Sequence, residues 1–284
     1  MSKTVIFHIG HGKTGTSSIQ RYLKRSSLNE NCDFAYPKTM MSEDGGHHGL
    51  FNGSQKQYNA LYNELNNSKQ NNVIISSESG LPNMRHFIEE SDYKSHFFTK
   101  LSEEHNVFVV YYVRNHFDIL ESAFLQHIQN SDTELNDLLE SGHQDAKLIA
   151  QERFIQHYFN NSISPEKWID TAPTRQFDFY SNLFDFWESV ASKTRIITKI
   201  YSRNSLLNQD IVCDFLSLLP FETKLTDFKE HDINPTSVYT HFPRHFVYNQ
   251  ESIERVRYTF SDSVDRYCER YLAPLASQNL KRGF

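Results

Sequence analysis

Cysteine is scarce: Cys32, Cys213 and Cys268 are the whole complement of a 284-residue chain, far apart and with no CxxC pair. That argues against a zinc site or a disulfide framework and fits a reducing compartment. Long hydrophobic runs are missing too. The longest, Val107–Val113, has 7 residues, against the roughly 20 needed to span a bilayer. The apolar run that follows Met-Ser-Lys-Thr is too short for a signal peptide. A soluble, cytoplasmic protein with no transmembrane segment is therefore expected. Positive charge is also in short supply, the formal net charge being −6. A nucleic-acid or anionic-membrane binder needs a broad basic surface, which this composition does not provide. Any anionic ligand must be held by a local cluster of donors.

What the chain does have is aromatic bulk, with 22 Phe and 15 Tyr, and a hydrophobic share of 38%. That suits a globular protein, and the length suits one large domain over residues 1–284. Four runs read as strands: Val5–Ile9, Val73–Ile75, Val107–Val113 and Arg195–Ile200. None alternates strictly, the pattern of parallel strands buried on both faces. Helical patterns follow: Ser18–Leu23; Leu120, Phe124 and Ile128; Asp210–Leu219 from an Asn208 or Asp210 cap to Pro220; and a long stripe from Ser252 to Leu272. Strand and helix in alternation imply a doubly wound α/β sheet. Residues 36–60, rich in turn formers, read as a long loop. Residues 131–175 are polar, are expected to be helical in part, and hold Trp168 and Pro173. Both stretches read as insertions around a ligand site.

The strongest local signal runs from Val5 to Gln20, where a strand enters a glycine-rich turn and the turn enters a helix. Gly10, Gly12 and Gly15 allow main-chain N–H groups to wrap an anion. The following helix adds its own N–H groups and its positive dipole end. A plain tight turn would not need Lys13, Thr14, Thr16, Ser17 and Ser18 together. The loop departs from G-x-x-x-x-G-K-[ST]: Thr16 stands where the lysine should follow Gly15, and Lys13 lies inside the loop. That counts against a standard ATPase or GTPase.

Lys13-Thr14-Gly15-Thr16-Ser17-Ser18 resembles the 5′-phosphosulfate loop of the sulfotransferases that use 3′-phosphoadenosine 5′-phosphosulfate (PAPS), most closely the bacterial carbohydrate-type branch. The resemblance implies a P-loop-type, three-layer α/β fold with a central, mostly parallel sheet and inserted acceptor-side loops and helices. It implies that Lys13 contacts the bridging oxygen and that Thr14, Gly15, Thr16, Ser17 and Ser18 bind the 5′-phosphate. It places Tyr201, after the fourth strand, near the nucleotide.

Further along, the third strand ends on Arg114, with Ser122 eight positions on. A guanidinium at a strand end binds phosphate directly, where a metal-dependent phosphotransferase would want a carboxylate. The Arg–Ser pair resembles the family's 3′-phosphate site; the alternative is an ion pair of Arg114 with Asp118 or Glu121. Glu78, ending the second strand, matches the glutamate base of the carbohydrate-modifying members, and a carboxylate in reach of the acceptor hydroxyl can take its proton. The alternative is a capping or surface glutamate. His48, in Gly45-Gly-His-His-Gly49, is a candidate for orienting the acceptor beside His47. Lys281-Arg282-Gly283 reads as a basic tail more readily than as a second phosphate contact.

The activity expected is sulfuryl transfer from PAPS to a hydroxyl acceptor, a small molecule or a glycan and most readily a saccharide. It would leave adenosine 3′,5′-bisphosphate and need no metal. The rivals are a P-loop kinase or phosphotransferase using ATP and magnesium, and a non-catalytic module that keeps the nucleotide pocket.

Overall fold

The computed structural model describes residues 2–10, 14–29, 31–51, 53–78, 92–129, 145–159 and 195–223, with isolated positions at 137–141 and between 250 and 269. Trp168, Pro173 and Lys281–Gly283 lie outside them. Thr4–Ile9 (β1), Asn72–Ser77 (β2), Asn106–Val113 (β3) and Arg195–Ile200 (β4) form a parallel sheet in the order β2-β1-β3-β4. The apolar runs become strands because a parallel sheet covered by helices buries alternate side chains on both faces. β1, β2 and β3 are buried along nearly their whole length, while β4, at the edge, is only half-buried.

Two compact units divide the chain, residues 1–113 with 182–234, and residues 114–181 with 235–284. In the first, Ile6, Ile74, Val110 and Tyr112 pack with Ile19, Tyr22 and Leu23 of α1 (Thr16–Ser26) and with Val212, Phe215 and Leu216 of the helix Ile211–Ser217. On the opposite face Phe7 meets Phe98, with ring centroids 5.4 Å apart. Phe97 and Phe98 in turn meet Tyr58 at 4.9 and 6.4 Å. Those residues belong to α2 (Gln55–Asn67) and α3 (Asp92–Glu104). Helices on both faces make this unit a three-layer α/β structure. Each fully buried Leu, Ile or Phe contributes about 1.5–3 kcal/mol, so the two interfaces carry most of its stability.

The long loop expected over 36–60 is shorter than that. Helix α2 begins at Gln55, where Gln57 Oε1 accepts the Ser54 N–H at 2.9 Å in a capping-box arrangement. Tyr58, Leu61 and Leu65 then form its buried stripe. The residues before it carry the chain around the free edge of β2. Ala35 pairs with that edge, donating to Asn72 O and accepting from Ile74 N–H, both at 2.9 Å.

The second unit contains α4 (His116–Gln129) and α5 (Ala146–Phe159). Phe124 and Phe154 meet edge to face at 5.4 Å, and Ala146, Ala150 and Phe154 make a buried stripe at i, i+4, i+8. Helical positions farther on include Val264 and Cys268, buried one turn apart. Ile211–Ser217, the last continuous helix among the described residues, is α6. Among the described residues no helix is long and apolar enough to cross a membrane.

Candidate functional site

Strand order reverses at β1, which has β2 on one side and β3 on the other. Sheets of this kind bind ligands beyond the carboxyl ends of their strands at such a switch point. The glycine turn leaves β1 there. Gly10 N–H donates to Ser77 O of β2 at 2.7 Å, holding the exit against the neighbouring strand. Gly15 takes φ 78°, a left-handed conformation, and α1 starts at the next residue. A side chain is excluded at Gly15 on steric grounds as well, since a Cβ would lie 2.9 Å from Ile211 Cγ1. Thr14 and Thr16 are buried with their hydroxyls 3.3 Å apart, and Ser17 and Ser18 are half-exposed. The N-cap residue of α1 is Gly15, which has no side chain to cap it, whereas at α6 the Asp210 carboxylate accepts the Cys213 N–H at 2.7 Å. Thr14 to Ser18 are thus gathered at one helix start. Lys13, with His11 and Gly12, lies outside the described residues.

Glu78 directly follows Ser77, one residue beyond the bond that joins β2 to the glycine turn, and is half-buried. Tyr201 directly follows β4, with its N–H on Val113 O at 2.6 Å and its side chain packed against the α1 and α6 core. Arg114 and Ser122 belong to the second unit. Arg114 precedes α4, whose first turn is closed by Asn115 Oδ1 accepting Phe117 N–H at 2.9 Å, and Ser122 lies within that helix. Both are half-buried.

The two adjacent histidines have separate roles. His47 is fully buried. Its Nε2 is 2.9 Å from Pro37 O, and its Nδ1 is 3.3 Å from Ser76 N. Nδ1 also lies 3.2 Å from Ser76 O, and the Pro37 carbonyl makes Nε2 a donor. Burial pushes the pKa down against those carbonyl contacts and favours the neutral ring. The His47 N–H also donates to Ser76 O at 2.7 Å, so this residue fastens the 42–48 turn to β2. His48 points the other way, its Nε2 2.8 Å from Asp44 Oδ2 and its side chain about a third exposed at 33%. Burial tends to raise the Asp44 pKa, but the Ser42 hydroxyl, the His48 ring and the Gly46 N–H outweigh it and bring it down to about 2.

Two further groups shape the site and have no signal in the sequence. His8, within the apolar β1 run, is wholly buried. Its Nδ1 is 2.8 Å from Ser76 Oγ and its ring lies 5.0 Å from Phe215. Desolvation lowers its pKa to about 3, so it is neutral at ordinary pH. Asp214, also wholly buried, accepts from Tyr112 OH and Leu207 N–H, each at 2.7 Å, and from Lys199 Nζ. These bonds tie α6 to β3 and β4 and so hold Ile211 against Gly15. Partners 68 and 102 positions apart, for His8–Ser76 and Tyr112–Asp214, leave no local pattern to read.

No protein-family model matches this chain, and no curated protein matches it in sequence.

Proposed function

We propose that this protein is a sulfotransferase that moves a sulfuryl group from PAPS to a hydroxyl of a carbohydrate acceptor. The observation that carries the reading is the turn at the switch point. A left-handed Gly15, which has no side chain to cap the helix, leads into α1, and Glu78 stands one residue past the strand that the turn is bonded to. A helix start of that kind suits an anion, because its N–H groups and dipole face outward. The Thr and Ser hydroxyls at 14 and 16–18 add donors without adding charge.

In this reading Thr14 to Ser18 hold the 5′-phosphate and Lys13 the bridging oxygen. Arg114 and Ser122 take the 3′-phosphate, an assignment resting on the sequence, where a strand-end guanidinium replaces the carboxylate of a metal-dependent enzyme. Tyr201 lies near the nucleotide. The bound donor supplies an activated sulfuryl group, whose S–O bond to the phosphate breaks as a new S–O bond to the acceptor forms. Glu78 accepts the acceptor's hydroxyl proton. Lys13 and the helix N–H groups stabilise the charge gathering on the leaving phosphate. His48 orients the acceptor.

The test is a titration with adenosine 3′,5′-bisphosphate, ADP and ATP, with and without magnesium. The bisphosphate is expected to bind best, and Arg114→Ala to weaken it by about 1.5–3 kcal/mol while hardly changing an analogue that lacks the 3′-phosphate. Glu78→Gln should keep the binding and lower turnover by a factor on the order of 10²–10⁴. Preference for magnesium–ATP would replace this reading with that of a kinase.

A further inference from the structure

Gln20 lies in the second turn of α1, is 1% exposed, and has a side-chain nitrogen with no hydrogen-bond partner. A buried amide donor left unmatched destabilises the native state, and such groups are uncommon unless a ligand or water completes them. This one faces the 42–48 turn. A Cβ on Gly46 would lie 2.9 Å from Gln20 Nε2, 2.7 Å from His48 Cε1 and 2.8 Å from His48 Nε2. Amide and imidazole therefore converge on one spot, and glycine at 46 leaves room for both. Asp44 is the third member. It is bonded to His48 Nε2, and it accepts from Ser42 Oγ and from Gly46 N–H at 3.1 Å, which holds the turn around the ring.

We propose that Gln20 and His48, with Asp44 as the residue that positions the His48 ring, form a hydroxyl-binding subsite for a neutral, polyhydroxylated molecule. An amide donor and an imidazole held in place by Asp44 match groups that both donate and accept, as sugar hydroxyls do. The Asp44 carboxylate, kept ionised at any ordinary pH, repels an anionic ligand. The turn is bonded through His47 N–H to Ser76 O, two residues before Glu78, so the subsite adjoins the end of β2. Reaction of the bound hydroxyl at Glu78 rests on the sulfotransferase reading; the binding itself does not.

The experiment is ligand-observed saturation-transfer NMR on the full chain with maltose, cellobiose, lactose and chitobiose, and with glucose 6-phosphate as the anionic control. At least one disaccharide is expected to bind, and the phosphosugar to bind more weakly. Gln20→Met keeps the length of the side chain and removes its donor. It should weaken the disaccharide at least tenfold (order of magnitude) while holding or raising the thermal midpoint, since an unmatched donor is lost. His48→Ala, on a partly exposed ring, should abolish the signal without touching the core. Asp44→Asn should weaken binding and shift the His48 ring ¹⁵N resonances, a signature that a merely structural role would not produce. Adenosine 3′,5′-bisphosphate, titrated in parallel, should bind all variants equally. No disaccharide bound by the wild type, or binding unchanged in Gln20→Met and His48→Ala, overturns the subsite whatever the nucleotide does. Disaccharide binding as expected with no bisphosphate binding overturns the sulfotransferase reading and leaves the subsite standing.

Discussion

The first unit contains two glycine turns, each with a left-handed glycine and each lying against α1, and the left-handed residue serves a different end in each. The first leaves β1 through Gly10 and reaches α1 at Gly15, where φ is 78° and the N-cap position has no side chain. The second passes through Gly45, with φ 96°, and is bonded to its surroundings almost throughout. Tyr36 OH donates to Gly45 O at 2.6 Å, Ser42 N–H to Gly46 O at 2.8 Å, Gly46 N–H to Asp44, and Lys24 Nζ to Glu43 O at 2.5 Å. Both turns carry backbone conformations that other residues adopt only at a penalty. In the first, that conformation turns the chain directly into α1. In the second it packs a turn tightly and aims one ring, His48. A glycine-rich stretch thus marks left-handed backbone, which starts a helix in one place and closes a bonded turn in the other.

The largest expected effect is at the first turn. Gly15→Ala should destabilise by about 2–4 kcal/mol, combining left-handed strain with overpacking against Ile211. It should also remove the anion binding proposed above. Gly45→Ala meets its neighbours at 3.2 to 3.4 Å, one of them the flexible Lys24 chain, and should cost only about 1–2 kcal/mol. Urea denaturation of the two variants measures the contrast. A greater loss for Gly45→Ala would reverse the ranking.

An intermediate effect comes from His8, which joins the two turns through Ser76: its ring meets the Ser76 hydroxyl, while the Ser76 carbonyl holds His47. The His8 pKa falls from 6.5 to about 3 on folding because burial disfavours the charged ring. Between those values the unfolded chain binds a proton that the native state refuses, so stability rises with pH and is lost as pH falls from about 6.5 towards 3. His8 alone should account for about 2 kcal/mol of loss between pH 7 and pH 5, at about 1.4 kcal/mol per pH unit. His47 and His105 are also shifted down by burial and act in the same direction. Denaturation midpoints for wild type and His8→Phe at the two pH values test this, the variant being expected to show a shallower fall. Equal slopes would show that His8 is protonated in the native protein.

The sheet was legible because parallel strands covered on both faces write themselves as unbroken apolar runs. Arg195–Ile200 coincides with β4, and the other three runs lie within β1, β2 and β3. Helices α2 and α3 were not anticipated. In α2 the stripe of Tyr58, Leu61 and Leu65 is diluted by Asn and Gln, weak signals against a background already read as loop. The glycine turn after β1 was legible as a motif, since its residues are consecutive. His8, Asp214 and Gln20 were not, because each acquires its meaning from partners that only the folded chain brings near. Asp210, one of two caps weighed for α6, is the residue that caps it. The adjacent histidines could not be told apart until the 42–48 turn was seen to bury one and present the other.

The smallest effect tests whether the second turn is held by its glycines or by its charges. Asp44 has its pKa lowered from 3.8 to about 2, so any stability it contributes is present above about 4 and lost as pH falls through about 2. That window lies mostly below that of His8, and the two can be separated in one titration. The Asp44 side chain is 62% exposed, so solvent screens its interactions. Pairs of this kind are worth under about 1 kcal/mol. Asp44→Asn should therefore lower stability by less than about 1 kcal/mol at pH 7, less than Gly45→Ala, because the Tyr36, Lys24 and His47 bonds to the turn remain. Differential scanning calorimetry at pH 7 and pH 3 reads both quantities. A loss for Asp44→Asn larger than that for Gly45→Ala would mean that charge, rather than backbone geometry, holds the turn in place.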